Sequence, residues 1–177
     1  MSPLPVLMIT ISFFLPDRSE GPIPHQLQTI WFPVHVSAAL LGNAFMGLAF
    51  VIGIGYLVQE RQVKGKHMGA IFSRLPPLNV LDEINYRCLT YGFPFMTVGI
   101  ITGSVWAQNA WGTYWDWSPK ETWSLVTWFI YAALLHLRLN VGWRGRRAAI
   151  LSIIGFTILL FAFIGVTLLG KGSHSFV

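Results

Sequence analysis

Residues Ser104–Trp128 read SVWAQNAWGTYWDWSPKETWSLVTW, the most unusual run of side chains in the protein. Six tryptophans fall within it, and five of them lie within 18 residues: Trp106, Trp111, Trp115, Trp117 and Trp123. An aromatic belt at the level of the lipid headgroups would account for one or two of them. A surface of flat apolar rings that receives a large planar ligand would account for all five. The composition of the stretch leaves both interpretations open.

The second half of this stretch contains a helix start. Ser118 fits the N-cap, Pro119 the first helical position and Glu121 the third, which together form a capping box. The pattern predicts a helix over Pro119–Leu139 and assigns Glu121 to the cap rather than to acid–base chemistry. Lys120 is either an anchor at the membrane interface or a partner for an anionic group of the ligand.

The composition of the 177 residues indicates a membrane protein. Apolar residues make up 54% and charged residues 11%, with a mean hydropathy of +0.57, whereas soluble domains carry about 25% charged residues. This excludes a disordered chain and an ordinary cytosolic enzyme. The basic residues are scattered through short loops, so no nucleic-acid partner is expected. Because Cys88 is the single cysteine, the chain has no internal disulfide and no CxxCH motif of its own.

Stretches without Asp, Glu, Lys or Arg predict an all-α, polytopic membrane protein. Three of them can cross about 30 Å of hydrocarbon at about 1.5 Å per residue: Val34–Gln59, Cys88–Trp115 and Ala148–Gly170. Thr122–Leu137 reaches that length when its helix covers the whole of Pro119–Leu139. These four segments are expected to be transmembrane helices, and the proline-containing Met1–Pro16 is a marginal fifth.

The distribution of lysine and arginine predicts the orientation. Nine of these residues lie on one side of the predicted helices: Arg61, Lys64, Lys66, Arg74, Arg87, Arg138, Arg144, Arg146 and Arg147. The other side has only Arg18, Lys120 and Lys171. Because basic loops face the cytoplasm, residues 16–33, a tryptophan-rich loop over 106–121 and residues 171–177 are expected to share the outer face.

Two histidines are expected beside this loop. His35 opens the first long helix and His174 follows the last one, so both belong to the predicted outer face. Bis-imidazole ligation of a haem iron needs such a pair, with one nitrogen on each face of the porphyrin. Ala38 and Ala39, one turn from His35, leave room for a ring edge. The alternative is that these small residues serve helix packing and both histidines are interfacial.

A third histidine, His136, lies about 26 Å along its predicted helix from Pro119. Ionisable groups at such depth in a membrane are rare and usually functional. A helix-end histidine that reaches water near Arg138 is the alternative, and the sequence leaves it open. No neighbouring sequence pattern assigns a role to His25 or His67.

These residues resemble the cytochrome c assembly proteins. The run WGTYWDWSPKETWSLVTWFIYAALLHLRL, residues 111–139, is similar to the tryptophan-rich WWD signature of that family. The likeness extends from about Trp31 to Phe176 and is greatest to the CcsA/ResC branch, the subunits of the system II cytochrome c synthase. Ser118 stands where the family usually has aspartate, and Asp116 where glycine is common. Because serine and aspartate are both good N-caps, the exchange supports a capping role for position 118.

The resemblance implies haem delivery and ligation for covalent attachment to apocytochrome c. Haem b, bound non-covalently and in transit, would lie on the tryptophan loop at the outer face, with its iron between His35 and His174. His136 would ligate haem within the membrane. The implied partners are an apocytochrome c with a CxxCH motif and either a ResB/CcsB-type membrane protein or an upstream region of the same protein.

The resemblance also implies a location and a domain organisation. The membrane would be a bacterial inner membrane or a thylakoid, and the protein would be a component of a cytochrome c synthase (haem lyase). Residues 1–177 would form a single haem-handling domain, complete or the C-terminal portion of a longer protein. Three alternatives stay open: a CcmC-like subunit that hands on haem without forming thioethers, a bis-histidine electron-transfer subunit, and a structural subunit.

Overall fold

The structure, a computed structural model, describes residues 27–66 and 74–169, and these residues form four helices. In chain order they are α1 (Trp31–Gly65), α2 (Leu78–Trp111), α3 (Pro119–Leu139) and α4 (Arg146–Leu169). The predicted helix over Pro119–Leu139 is confirmed at both ends. The expectations for Met1–Pro16, His25, His67 and His174 lie outside the described residues.

The first two helices are longer than the charge-free stretches predicted. α1 has 35 residues and α2 has 34, which corresponds to about 50 Å each and exceeds the hydrocarbon thickness. Arg61, Lys64 and Arg87, assigned to a connecting loop from the sequence, therefore lie on helices. Ion pairs one turn apart stabilise these extensions: Lys64 Nζ lies 2.8 Å from Glu60, and Arg87 Nε lies 2.9 Å from Glu83.

Three of the described helices have the length and apolarity of membrane spans: α1, α2 and the 146–165 portion of α4. The expected number of four spans is therefore not confirmed. α3 is helical as predicted, but lysine, glutamate, serine and threonine in its sequence lower its hydropathy. Its passage through the membrane stays a prediction.

The helices pack as an antiparallel, up-and-down bundle. α2 runs back along α1, since Asn85 Nδ2 donates to the Ala49 carbonyl near one end and His35 bonds to Gly99 near the other. α3 packs against α2 through the 2.9 Å hydrogen bond from Trp128 Nε1 to Thr97 Oγ1, and α4 contacts both α1 and α3. The start of α1 and the α2–α3 connection therefore lie at one end of the bundle, the tryptophan end. The α3–α4 connection lies at the opposite end, the arginine end.

Small residues bring α1 and α2 into close contact. A Cβ atom built on Gly42 would lie 2.8 Å from the backbone nitrogen of Met96, and one on Gly99 would lie 3.3 Å from the Cα of Ala39. Ala38 is buried. Ala39 thus packs against α2 and Ala38 lies in the interior, as expected if these small residues serve helix packing. The buried core comprises Met46, Ala49, Cys88, Leu89, Met96, Tyr131 and Leu134.

An ion pair between buried Arg138 and half-buried Asp82, the Asp82 clamp, ties α2 to α3 at the arginine end. The Arg138 guanidinium donates to both carboxylate oxygens of Asp82 at 2.9 and 2.8 Å, and to its backbone carbonyl at 3.0 Å. The Gly145 N–H donates to the same carboxylate at 2.8 Å. Only 7% of Arg138 is exposed. The clamp therefore fixes both the end of α3 and the connection that follows it.

Candidate functional site

His35 lies near the start of α1, at the tryptophan end, with its ring against α2. Its Nδ1 lies 2.7 Å from the backbone oxygen of Gly99. Because a carbonyl oxygen only accepts, Nδ1 carries the proton, and in the neutral ring the lone pair is left on Nε2. Metal-ligating histidines are usually held in this way, with the second ring nitrogen donating to a backbone or carboxylate oxygen.

Two further contacts fix the position of this imidazole. The indole of Trp106 stacks on it with a centroid distance of 5.9 Å and an interplanar angle of 14°. Gly103 faces the Nδ1–Cε1 edge of the ring, because a Cβ atom built there would lie 2.8 Å from both Nδ1 and Cε1 of His35. Glycine at position 103 is therefore required for the observed ring position.

Trp106 is the centre of an aromatic cluster around His35. Its ring is 5.4 Å from that of Phe32 and 4.9 Å from that of Trp111, which meets it edge-on. Trp106 is only 8% exposed, whereas Trp111 is 37% exposed. The cluster thus has a buried base against the helices and an accessible outer ring.

The predicted tryptophan-rich loop over 106–121 is shorter in the structure. α2 continues to Trp111, so Trp106 and Trp111 are helical. Gly112 ends the helix in the left-handed conformation, with φ of 80°, and its N–H donates to the Gln108 carbonyl at 3.0 Å. The sequence lacked a charged residue or a proline here, which made the end of α2 hard to predict.

The start of α3 has the predicted capping box. The Glu121 N–H donates to Ser118 Oγ at 3.4 Å, and the Ser118 N–H donates to a Glu121 carboxylate oxygen at 3.3 Å. The same oxygen accepts from the Asp116 N–H at 3.0 Å. Burial, followed by interaction with the Asp116 side chain, raises the pKa of Glu121. The Glu121 carboxylate therefore accepts hydrogen bonds from the backbone that precedes α3, as its assignment to the cap predicted.

Trp115 and Trp117 are carried by this connection. Their rings meet edge to face with a centroid distance of 5.9 Å. Trp117 is 69% exposed, and its backbone has φ of 59°, in the left-handed region that residues other than glycine rarely adopt. The Nε1 of Trp115 is buried and has no hydrogen-bond partner. A flat exposed ring held in a costly conformation and an indole N–H without an acceptor both suit a ligand that is not part of the chain.

The remaining described candidates lie apart from His35. Trp123 is on α3 and packs edge-on against Phe161 of α4, at 6.4 Å. His136 is in the last turn of α3, at the arginine end, and its exposed ring lies 3.0 Å from Asn140 Nδ2. The structure therefore brings His35 together with Trp106 and Trp111 and places His136 at the other end of the bundle.

Sequence reasoning missed two residues that hold His35, namely Gly99 and Gly103. Their spacing, G-x-x-x-G on an apolar helix, is typical of a close approach between transmembrane helices. That signal could have indicated that another helix, or a side chain on it, lies against this part of α2. The donation from His35 to the Gly99 carbonyl joins residues 64 apart in the sequence and had no local signal.

The geometry suits a large planar molecule that contains a metal ion. It offers one imidazole with a lone pair on Nε2, aromatic rings on two adjoining elements and one unpaired indole donor. Haem combines an iron that accepts imidazole, a flat apolar ring and carboxylates that could accept from an indole N–H. The described residues therefore fit haem.

The three long apolar helices define a polytopic integral membrane protein. The model of the family described as "Cytochrome C assembly protein" matches residues 2–174. The chain belongs to this family.

Curated relatives named "Cytochrome c biogenesis protein CcsA" extend this finding. The chain is 39% identical over 188 residues to the relative from Synechococcus sp. strain CC9902, which covers 93% of the chain and 62% of the relative. It is 41% identical to that from Parasynechococcus marenigrum, with the same coverage. It is 38% identical to the protein of Chlamydomonas reinhardtii, over 99% of the chain and 50% of that relative. The chain thus spans between half and two thirds of the length of these proteins.

Proposed function

We propose that the protein acts in cytochrome c biogenesis by holding haem b non-covalently at the tryptophan end, for covalent attachment to apocytochrome c. His35 is one axial ligand of the iron, and His174 is the other. Trp106, Trp111, Trp115 and Trp117 provide the surface that orients the porphyrin plane, and Trp123 supports it from α3. This makes the chain a component of a cytochrome c synthase on the outer face of a bacterial inner membrane or a thylakoid.

One observation carries this proposal: the 2.7 Å hydrogen bond from His35 Nδ1–H to the Gly99 carbonyl. It selects the tautomer that can ligate a metal through Nε2, before any ligand arrives. A histidine that served only as an interfacial residue would not need a glycine at position 103 to admit its ring, nor a parallel indole from Trp106.

The chain's own residues bind and orient rather than supply acid–base groups. Each thioether would form when a cysteine thiol of the CxxCH motif adds across a vinyl group of haem: the S–H bond and the vinyl π bond break, and one C–S and one C–H bond form. The addition needs no external oxidant. A fixed porphyrin plane and a fixed iron place the vinyl groups for two thiols of a docked chain, and such positioning accelerates a reaction strongly.

His136 has a separate role in this proposal, as a ligand for haem on its way to the tryptophan end. Its position on the exposed surface of α3 leaves it accessible to a neighbouring membrane segment. That segment comes from a ResB/CcsB-type partner or from an upstream region of the protein, and it supplies the second ligand.

The test is chemical rescue of cytochrome maturation. In cells that depend on this protein, His35→Gly removes the axial imidazole and leaves a space beside Trp106, so covalent cytochrome c should be lost. Imidazole added to the medium should fill the space and restore a measurable fraction of it. The amount of covalent haem in cytochrome c on a denaturing gel is the readout.

His67→Gly is the matched control, since position 67 is predicted on the opposite face, and it should mature cytochrome c normally without imidazole. Normal maturation in the His35→Gly strain without imidazole would contradict the axial assignment. Retained haem in the purified protein, combined with no thioether formation by the wild-type protein and its partner, would instead favour a subunit that only hands on haem.

A further inference from the structure

The arginine end carries an excess of positive charge. Two groups of cations meet there: Arg61 and Lys64 near the end of α1, and Arg144, Arg146 and Arg147 around the start of α4. Glu60 is the carboxylate that faces both groups, and it accepts from Lys64 at 2.8 Å and from Arg146 at 3.1 Å. Arg144 and Arg147 have no carboxylate within ion-pair distance among the described residues.

The α3–α4 connection surrounds an open depression of about 540 Å³. Its lining residues are Val141, Gly142, Trp143, Arg144, Arg146 and Arg147. A space of this size accommodates a phosphate group and part of its substituents. Three arginines thus line one open surface.

This surface is held in place by contacts within the chain. The Gly145 N–H is bonded to Asp82 at 2.8 Å, and the Trp143 N–H donates to the Leu137 carbonyl at 3.1 Å. The Arg147 guanidinium lies over the Trp143 ring, 5.5 Å from its centroid. The loop backbone and Arg147 are therefore ordered by the fold, and a ligand would not have to order the loop.

The depth of the surface in the membrane identifies the kind of ligand. The most apolar of the candidate spans, with a hydropathy of 2.5, begins at Arg146 itself. Arg146 and Arg147 must then lie at the boundary between hydrocarbon and headgroups, where Trp143 is also favoured. Exposed apolar side chains continue along α4 from this point and include Ile154 and Leu160.

We propose that Trp143, Arg144, Arg146 and Arg147 form a binding site for the phosphate of an anionic phospholipid. An arginine guanidinium can donate two parallel hydrogen bonds to two oxygens of one phosphate. Basic surfaces next to a transmembrane helix bind anionic headgroups. The acyl chains lie along the exposed apolar surface of α4. Free inorganic phosphate offers the same oxygens without the chains and is distinguished from the lipid by the experiment.

The experiment measures phospholipid that stays bound to the full-length protein. The protein is placed in nanodiscs of phosphatidylcholine that contain about one fifth phosphatidylglycerol, an anionic lipid. It is then transferred to neutral detergent and weighed by native mass spectrometry. The wild type should retain phosphatidylglycerol. R144Q/R147Q should lose it by about tenfold or more, since each arginine near an anionic surface contributes about fivefold. R144K/R147K should bind with intermediate strength, because it keeps the charges but not the paired geometry.

The matched control is R74Q/R87Q, which removes two exposed charges elsewhere on the predicted cytoplasmic side and should retain lipid as the wild type does. Equal loss in both glutamine variants would show a diffuse charge effect and overturn the site. Release of the lipid by an equal concentration of inorganic phosphate would identify a free-anion site and overturn the headgroup assignment. Melting temperatures by circular dichroism show whether each variant is folded. If R144Q/R147Q does not fold, R144K/R147K tests the proposal in its place.

Discussion

At the scale of single residues, His35 is defined by its neighbours on α2. Gly99 provides the carbonyl that selects the tautomer, Gly103 provides the space, and Trp106 provides a parallel ring. None of the three would bind haem iron itself. They position His35, one of the two axial ligands in the proposed function, and small changes in them should therefore act on haem through His35.

Gly103→Ala should weaken haem binding without unfolding the protein. The added methyl group would lie 2.8 Å from two ring atoms of His35, so the imidazole must move and lose its bond to Gly99. Loss of such a supporting contact weakens metal binding by about tenfold or more. Haem per protein by pyridine haemochrome assay is the measurement. Gly165→Ala, where a Cβ meets nothing within 4 Å, should leave it unchanged, and equal haem in both variants would contradict the account.

Trp117→Gly should separate a structural from a ligand-binding role. The left-handed backbone at φ 59° costs a tryptophan about 1 kcal/mol or more, which glycine avoids. The melting temperature should therefore not fall. Haem per protein should fall, as it should in Trp117→Ala, because the exposed ring is lost. A variant that is at least as stable and keeps its full haem content would show that the ring does not contact haem.

At the scale of elements, the sequence predicted a helix boundary correctly where capping residues mark it. Ser118, Pro119 and Glu121 gave both the start and the cap of α3. The end of α1 and the start of α2 were missed because charged residues were taken as loop markers, although the Glu60–Lys64 and Glu83–Arg87 pairs stabilise helix outside the membrane. The left-handed Gly112 that ends α2 was not identified.

The Asp82 clamp was also beyond sequence reasoning, because Asp82 and Arg138 are 56 residues apart. It should dominate the stability of the arginine end. Asp82→Asn leaves the buried Arg138 without its carboxylate and should cost about 3 kcal/mol. Thermal unfolding by circular dichroism in detergent measures this. Glu83→Gln, one residue along, removes only an exposed ion pair and should have little effect.

A second variant checks the physical reason. Adding Arg138→Met to Asp82→Asn removes the unpaired charge and should recover much of the lost stability. If the Asp82→Asn and Glu83→Gln variants had the same melting temperature, the clamp would not be a stabilising element. The arginine end would then have to be held by other contacts.

At the scale of the whole molecule, the up-and-down bundle explains why residues distant in sequence share one end. His35 at the start of α1 meets Trp106 at the end of α2 because the two helices are antiparallel. The sequence predicted this neighbourhood from the number of helices between the two residues and from the distribution of basic residues. It could not predict which tryptophans surround His35, since that depends on where α2 ends and how the rings pack.

The charge bias also predicts the sides of the membrane, and cysteine labelling tests it. In a Cys88→Ser background, a cysteine at position 109 should react with an impermeant maleimide in intact cells, because it lies at the tryptophan end. Cysteines at positions 64 and 146, at the arginine end, should react only after permeabilisation. Labelling of position 64 in intact cells would reverse the orientation and place the haem site on the cytoplasmic face.

The most direct test of the central claim, that His35 ligates haem iron at the tryptophan end, is the absorption spectrum of the protein purified with its membrane partner. The wild type should show the low-spin bands of bis-imidazole haem in both the oxidised and reduced states. His35→Gly should lose those bands and regain them when imidazole is added, because the space beside Trp106 and Gly103 then accepts the free ligand. An unchanged low-spin spectrum in His35→Gly without imidazole would contradict the account.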